Sequence, residues 1–127
     1  MDDVDRVGGE AGLTRIFDDL LTRMRADFVV GYLFAGTDHA RIVRHEVEHA
    51  VAVLRGGGGA SGYTGRPLPQ VHRPLRINRG HFRRRMAFLR TVLADHGVPA
   101  DIAERWLAVD ARLEGALTDG SDCAPIS

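Results

Sequence analysis

Apolar residues recur at helical spacing along most of the chain. Leu13, Ile16, Phe17, Leu20, Leu21 and Met24 are separated by steps of three or one, as on one face of an α-helix. Ile42, Val43, Val47, Ala50, Val51 and Leu54 form a second such face, and Phe82, Met86, Leu89, Val92 and Leu93 a third. Gly97 follows the third stripe as a C-terminal cap. Pro99 then suits the first turn of a fourth helix, with Ile102, Trp106, Val109, Leu113 and Leu117 inward. Nothing alternates with the period of a strand, so the pattern predicts an all-α fold.

Turn residues fall between these stripes. Gly8 and Gly9 precede the first helix, and the stretch Gly31–Asp38 is a corner carrying two aromatic residues and ending on an Asp suited to cap the second helix. The glycine tract Gly56–Gly59 leads into a proline-bracketed segment with Leu68, Val71, His72 and Leu75 on one short apolar helix. A loop-rich stretch of this length in a small helical domain points to function or to disorder, and the apolar groups here predict that it packs against something. Residues 119–127 are small and polar and read as a mobile tail beyond a domain spanning 1–118.

Composition narrows the function. The chain has 127 residues, enough for one domain with its own core. Its 17 basic residues balance its 17 acidic ones, which argues against electrostatic capture of nucleic acid or a membrane surface. Every basic residue is Arg, which excludes a Schiff-base or P-loop lysine. Cys123 is the lone cysteine, so neither an intrachain disulfide nor a thiolate metal cluster is expected. The acidic start lacks the apolar core of a signal peptide, and no apolar run reaches the roughly 20 residues of a membrane span. A cytoplasmic protein is the expectation.

The second stripe contains His45-Glu46-Val47-Glu48-His49, a literal H-E-x-x-H. Two imidazoles four apart on a helix can grip zinc while the Glu acts as general base, so a zinc hydrolase is one reading. A zincin also needs a third ligand, and no spacing singles one out among His72, His81, Glu104 and Asp110. On a helical wheel Glu46 sits near the middle of the apolar face, with His45 and His49 along one edge. A carboxylate at a core position is costly unless it is paired. Arg85 sets the same puzzle on the third helix, between Phe82 and Leu89 on the border of the apolar face. A rotated helix with Glu46 at solvent, and a snorkelling Arg85, are the alternatives.

The chain resembles the truncated haemoglobins, most closely their group I branch. Gly8-Gly9, Leu33-Phe34-Ala35-Gly36-Thr37, Tyr63-Thr64-Gly65-Arg66, Gln70-Val71-His72, Ile77, His81-Phe82 and Gly97-Val98-Pro99 carry the resemblance, in order, from about Val7 to Leu113. The resemblance implies a two-over-two helical sandwich around one haem b, with His72 as the proximal ligand of the iron. It implies Phe34 stacked on the haem, Ile42, Leu68 and Phe82 among the cofactor-lining residues, and Arg73 and Arg76 near the propionates. A neutral imidazole on an apolar mini-helix suits an iron ligand.

The departures from the family pattern bear on activity. Group I members typically place a tyrosine on the first long helix and a glutamine on the second to hydrogen-bond bound oxygen. The matching positions here are Leu21 and Glu46. His45 falls where some relatives place a distal histidine that ligates the iron, and Arg85 falls near the distal wall. A gas-binding globin taking O₂, NO or CO is one expectation. A haem oxidoreductase working on a small oxidant, with a reductase as partner, is another. Peroxide chemistry needs a proton acceptor and a positive charge, and Glu46 and Arg85 supply those types.

Overall fold

A computed structural model of the chain describes residues 2–56 and 77–114. It is all-helical over those residues, with α1 (Asp3–Arg6), α2 (Gly9–Ala26), a 3₁₀ turn (Gly31–Phe34), α3 (His39–Arg55), α4 (Arg79–Asp95) and α5 (Ala100–Ala111). The expected helix around His72 and the expected tail 119–127 lie outside the described residues.

The four long helices follow the four apolar stripes. Leu13, Ile16, Phe17, Leu20, Leu21 and Met24 of α2 are all buried, as are Phe82, Leu89, Val92 and Leu93 of α4. On α3, Val43, Val47 and Ala50 are buried while Ile42, Val51 and Leu54 pack partly covered against the same core. Ile102 and Trp106 anchor α5, and the Trp106 ring meets Phe17 at 5.7 Å between centroids. Removing a buried ring of that size costs about 3–5 kcal/mol.

These helices form the two-over-two sandwich. The helix α2 packs against α3 and α4, α4 against α5, and α5 returns to α3. Asp38 caps α3 by accepting from the Arg41 amide. The chain leaves α4 through Gly97 at φ +71°, a left-handed conformation that glycine adopts without penalty. Pro99 is the N-cap of α5 and not its first helical residue, one position earlier than expected. The pattern also did not anticipate α1, a single turn closed by a reciprocal capping box between Asp2 and Asp5. At its junction with α2, Gly12 lies so near the Val7 carbonyl that a Cβ would collide with it.

Candidate functional site

The corner between α2 and α3 is held by two arginines. Arg25, in the last turn of α2, donates to His39 Nδ1 at 2.9 Å, to the Phe34 carbonyl at 3.1 Å and to Thr37 Oγ1 at 2.9 Å. Its guanidinium lies 5.3 Å from the Phe34 ring centroid, within cation–π range. Arg84 of α4 grips Asp27 just after α2, and Asp27 Oδ2 also accepts from the amides of Val29 and Val30, each at 3.0 Å. The corner carrying Phe34 is therefore tied to both neighbouring helices.

Inside it, α2, the 3₁₀ turn, α3 and α4 surround a cavity of about 50 Å³. Its lining is mostly apolar, with Leu21, Met24, Leu33, Phe34, Ile42 and Phe82 contributing, and its polar residues are Glu46, His81 and Arg85. The sequence placed Leu21 and Glu46 on different helices, and the fold brings them to one cavity. His45 is half-buried and is not among the lining residues.

Arg85 ties the cavity to a buried charge cluster. One terminal nitrogen of its guanidinium donates to Glu46 Oε2, and the other donates to Asp110 Oδ2 at 3.3 Å. On its far side Asp110 meets His49 Nε2 at 3.2 Å, where the imidazole donates if it carries its hydrogen on that nitrogen. Burial opposes the charge on Arg85, but Glu46 and Asp110 outweigh it and raise its pKa. Burial likewise pushes the Asp110 carboxyl upward, yet the hydrogen bond from His49 and the charge of Arg85 hold it below the ordinary carboxylate range. Neither carboxylate sits in the core uncompensated.

The cluster changes the reading of the H-E-x-x-H stretch. His49 was expected along an edge of the apolar face, but it is buried, only 5% exposed, because Asp110 of α5 draws the ring inward. The Glu46 carboxylate is engaged by Arg85. Among the described residues no group of three or more His, Cys, Asp or Glu side chains is arranged to hold a metal ion. The zinc-hydrolase reading finds no support.

Two site residues were not anticipated as such. Asp110 had appeared only as a conceivable metal ligand, and its acidic character within the inward stripe of α5 was the available signal. His81 lines the cavity, with Nδ1 accepting from the Asn78 amide at 3.3 Å and Nε2 lying 3.5 Å from Tyr32 Oη. His72, Leu68, Arg73 and Arg76 lie outside the described residues.

The chain matches the family model described as bacterial-like globin over residues 4–119. The group 1 truncated hemoglobin GlbN of Mycolicibacterium paratuberculosis (strain ATCC BAA-968 / K-10) is 32% identical over 116 residues, covering 91% of this chain and 83% of that protein. The GlbN of Nostoc sp. (strain MUN 8820) is 28% identical over 113 residues, covering 89% of this chain and 93% of that protein. Among solved structures, Chlamydomonas reinhardtii THB1 superposes with a TM-score of 0.74 at 28% identity, covering 91% of this chain and 95% of that one. The truncated hemoglobin of Tetrahymena pyriformis in its Fe(III) form shares the fold, with a TM-score of 0.78 at 19% identity, covering 95% of this chain and all of that one. The chain belongs to the bacterial-like globin family, as a truncated haemoglobin of the group 1 type. Membership implies haem binding.

The described residues fit one side of a haem site. The cavity has room for a small ligand and not for a macrocycle. Leu33, Phe34, Ile42 and Phe82 offer the apolar surface that a flat ring requires, and the polar side chains near them are already paired.

Proposed function

We propose that this chain is a haem b globin whose iron takes a diatomic gas or small oxidant beside an ion-paired distal pocket. The observation that carries the reading is the convergence of Leu21, Phe34, Glu46 and Arg85 on one mostly apolar cavity within a truncated globin fold. A haem supplies an iron centre that binds small ligands and exchanges electrons. The protein's part is to bind it through Phe34, Ile42, Leu68 and Phe82, to pair its propionates with Arg73 and Arg76, and to ligate the iron through His72.

On the distal side, Leu21 offers no hydroxyl and excludes water, while Glu46 holds a hydrogen-bond acceptor at the cavity and Arg85 fixes it there. The position of His45 outside the cavity lining favours a site left to external ligands over one closed by that imidazole. The Glu46–Arg85 pair also supports a second reading, a haem-dependent oxidoreductase supplied with electrons by a reductase. Among the described residues no helix is long and apolar enough to cross a membrane, and we assign the protein to the cytoplasm.

His72→Ala tests the assignment. Loss of haem on purification, or a haem spectrum restored by added imidazole, is the expected result. An unchanged spectrum and haem affinity would remove His72 as the proximal ligand.

A further inference from the structure

We infer that His39 is a proton-operated latch on the corner that carries Phe34. The neutral imidazole holds Arg25 against that corner, and the imidazolium releases it. The latch stands on the fold alone; its effect on cofactor release rests on the haem-globin reading above.

Hydrogen-bond polarity at the two ring nitrogens carries the argument. An arginine guanidinium only donates, so the 2.9 Å bond from Arg25 Nε makes His39 Nδ1 an acceptor with no hydrogen of its own. The hydrogen of the neutral ring then lies on Nε2, which donates to Asp18 Oδ1 at 2.8 Å. A second proton has one place to go, Nδ1. There it removes the acceptor and sets a cation against a cation. The Asp18 bond is common to both states, so the change falls on Arg25.

Arg25 passes that change to the corner. Its other two bonds go to the Phe34 carbonyl and to Thr37 Oγ1, and Thr37 Oγ1 itself donates to the same carbonyl at 2.6 Å. Its guanidinium also lies over the Phe34 ring. Phe34 is buried in the cavity lining, whereas the His39 side chain is 32% exposed and within reach of solvent protons. The latch thus joins an accessible titratable ring to a buried aromatic one. His39 is a positioning residue, because it acts on Phe34 only through Arg25.

The remaining charged groups around His39 favour neither sign. Glu10 and Arg15 from α2, and Arg44 and Glu48 from α3, line the groove that His39 borders. With Asp18 and Arg25 they amount to three carboxylates and three guanidiniums. Asp38, beside His39 on the corner, accepts from the Arg41 amide. The bond to Arg25 therefore sets the response.

The test is nitrogen NMR of the histidine rings in the full-length protein, as its diamagnetic ferrous–CO form, between about pH 8 and about pH 5. The His39 ring is assigned through its own backbone resonances, so this arm needs wild type alone. A bare Nδ1 with hydrogen on Nε2 is expected at the alkaline end. As Nδ1 takes up its proton, the Arg25 Nε–H resonance should shift with the same midpoint. Haem transfer to an acceptor protein should quicken on acidification by about three- to tenfold more in wild type than in His39→Asn, whose amide accepts a hydrogen bond but does not titrate. Arg25→Ala, with nothing left for His39 to release, should lack the extra acceleration as well. Acid loss of the proximal ligand is common to all three proteins and cancels in the comparison. Hydrogen on Nδ1 at the alkaline end, a ring that takes up no proton at the acid end, or a titration that leaves Arg25 Nε–H unmoved overturns the latch. Equal acid acceleration in wild type and variants overturns its effect on the cofactor. A folded protein that takes up no haem overturns the globin reading, and the same spectra recorded on it still decide the latch.

Discussion

Arg84 holds Asp27 through paired hydrogen bonds of 2.7 and 2.6 Å, joining α4 to the residue at which α2 ends. The Arg84 hydrogen bonds, aided by the amides of Val30 and Val29, lower the Asp27 carboxyl to about 2 from its ordinary 3.8. A carboxyl whose pKa falls on folding contributes fully above its unfolded value and loses that contribution as pH falls through the folded one. Asp27→Asn should therefore unfold at a lower temperature than wild type at neutral pH. The gap should close between about pH 4 and pH 2. Melting curves across that range check it, and a gap independent of pH contradicts it.

Arg85 compensates two buried carboxylates at once, so its removal takes the guanidinium from both. Arg85→Met should destabilise the apoprotein by roughly 3–5 kcal/mol. Adding Glu46→Gln removes one of the two carboxylate charges that Arg85 balanced, and the double variant should be less destabilised than the two single variants sum to. Urea unfolding of the four proteins of this cycle measures the coupling. Strict additivity would mean that the pair does not interact in solution.

Much of the architecture was legible because local rules sufficed. The stripes on α2 to α5 marked the buried faces, Asp38 announced the start of α3, and the wheel placed Glu46 inward. Each of these depends on neighbours within a few turns. The pairing of His49 with Asp110 does not, since the partners are 61 residues apart and meet only when α5 folds back onto α3. An edge histidine and a buried one have the same local signature, and the partner decides between them. The small helix α1 escaped for a different reason: its stability comes from reciprocal capping by Asp2 and Asp5 and one buried residue, Val4, and so it has no stripe.

Arg25 braces the corner that carries Phe34. Its three side-chain hydrogen bonds, to His39, the Phe34 carbonyl and Thr37, are all made across the α2–α3 turn. Arg25→Ala should cost roughly 1–3 kcal/mol of apoprotein stability. Because the corner positions Phe34, it should also speed haem loss to an acceptor protein. A variant that is destabilised but releases haem at the wild-type rate would separate the brace from the cofactor site.

Titration of the purified apoprotein with haemin, followed in the Soret region, tests the central claim most directly. The account predicts saturation at one haem per chain, with a break at equivalence and a spectrum that His72→Ala changes. Folded apoprotein whose absorbance follows that of free haemin throughout the titration would contradict it.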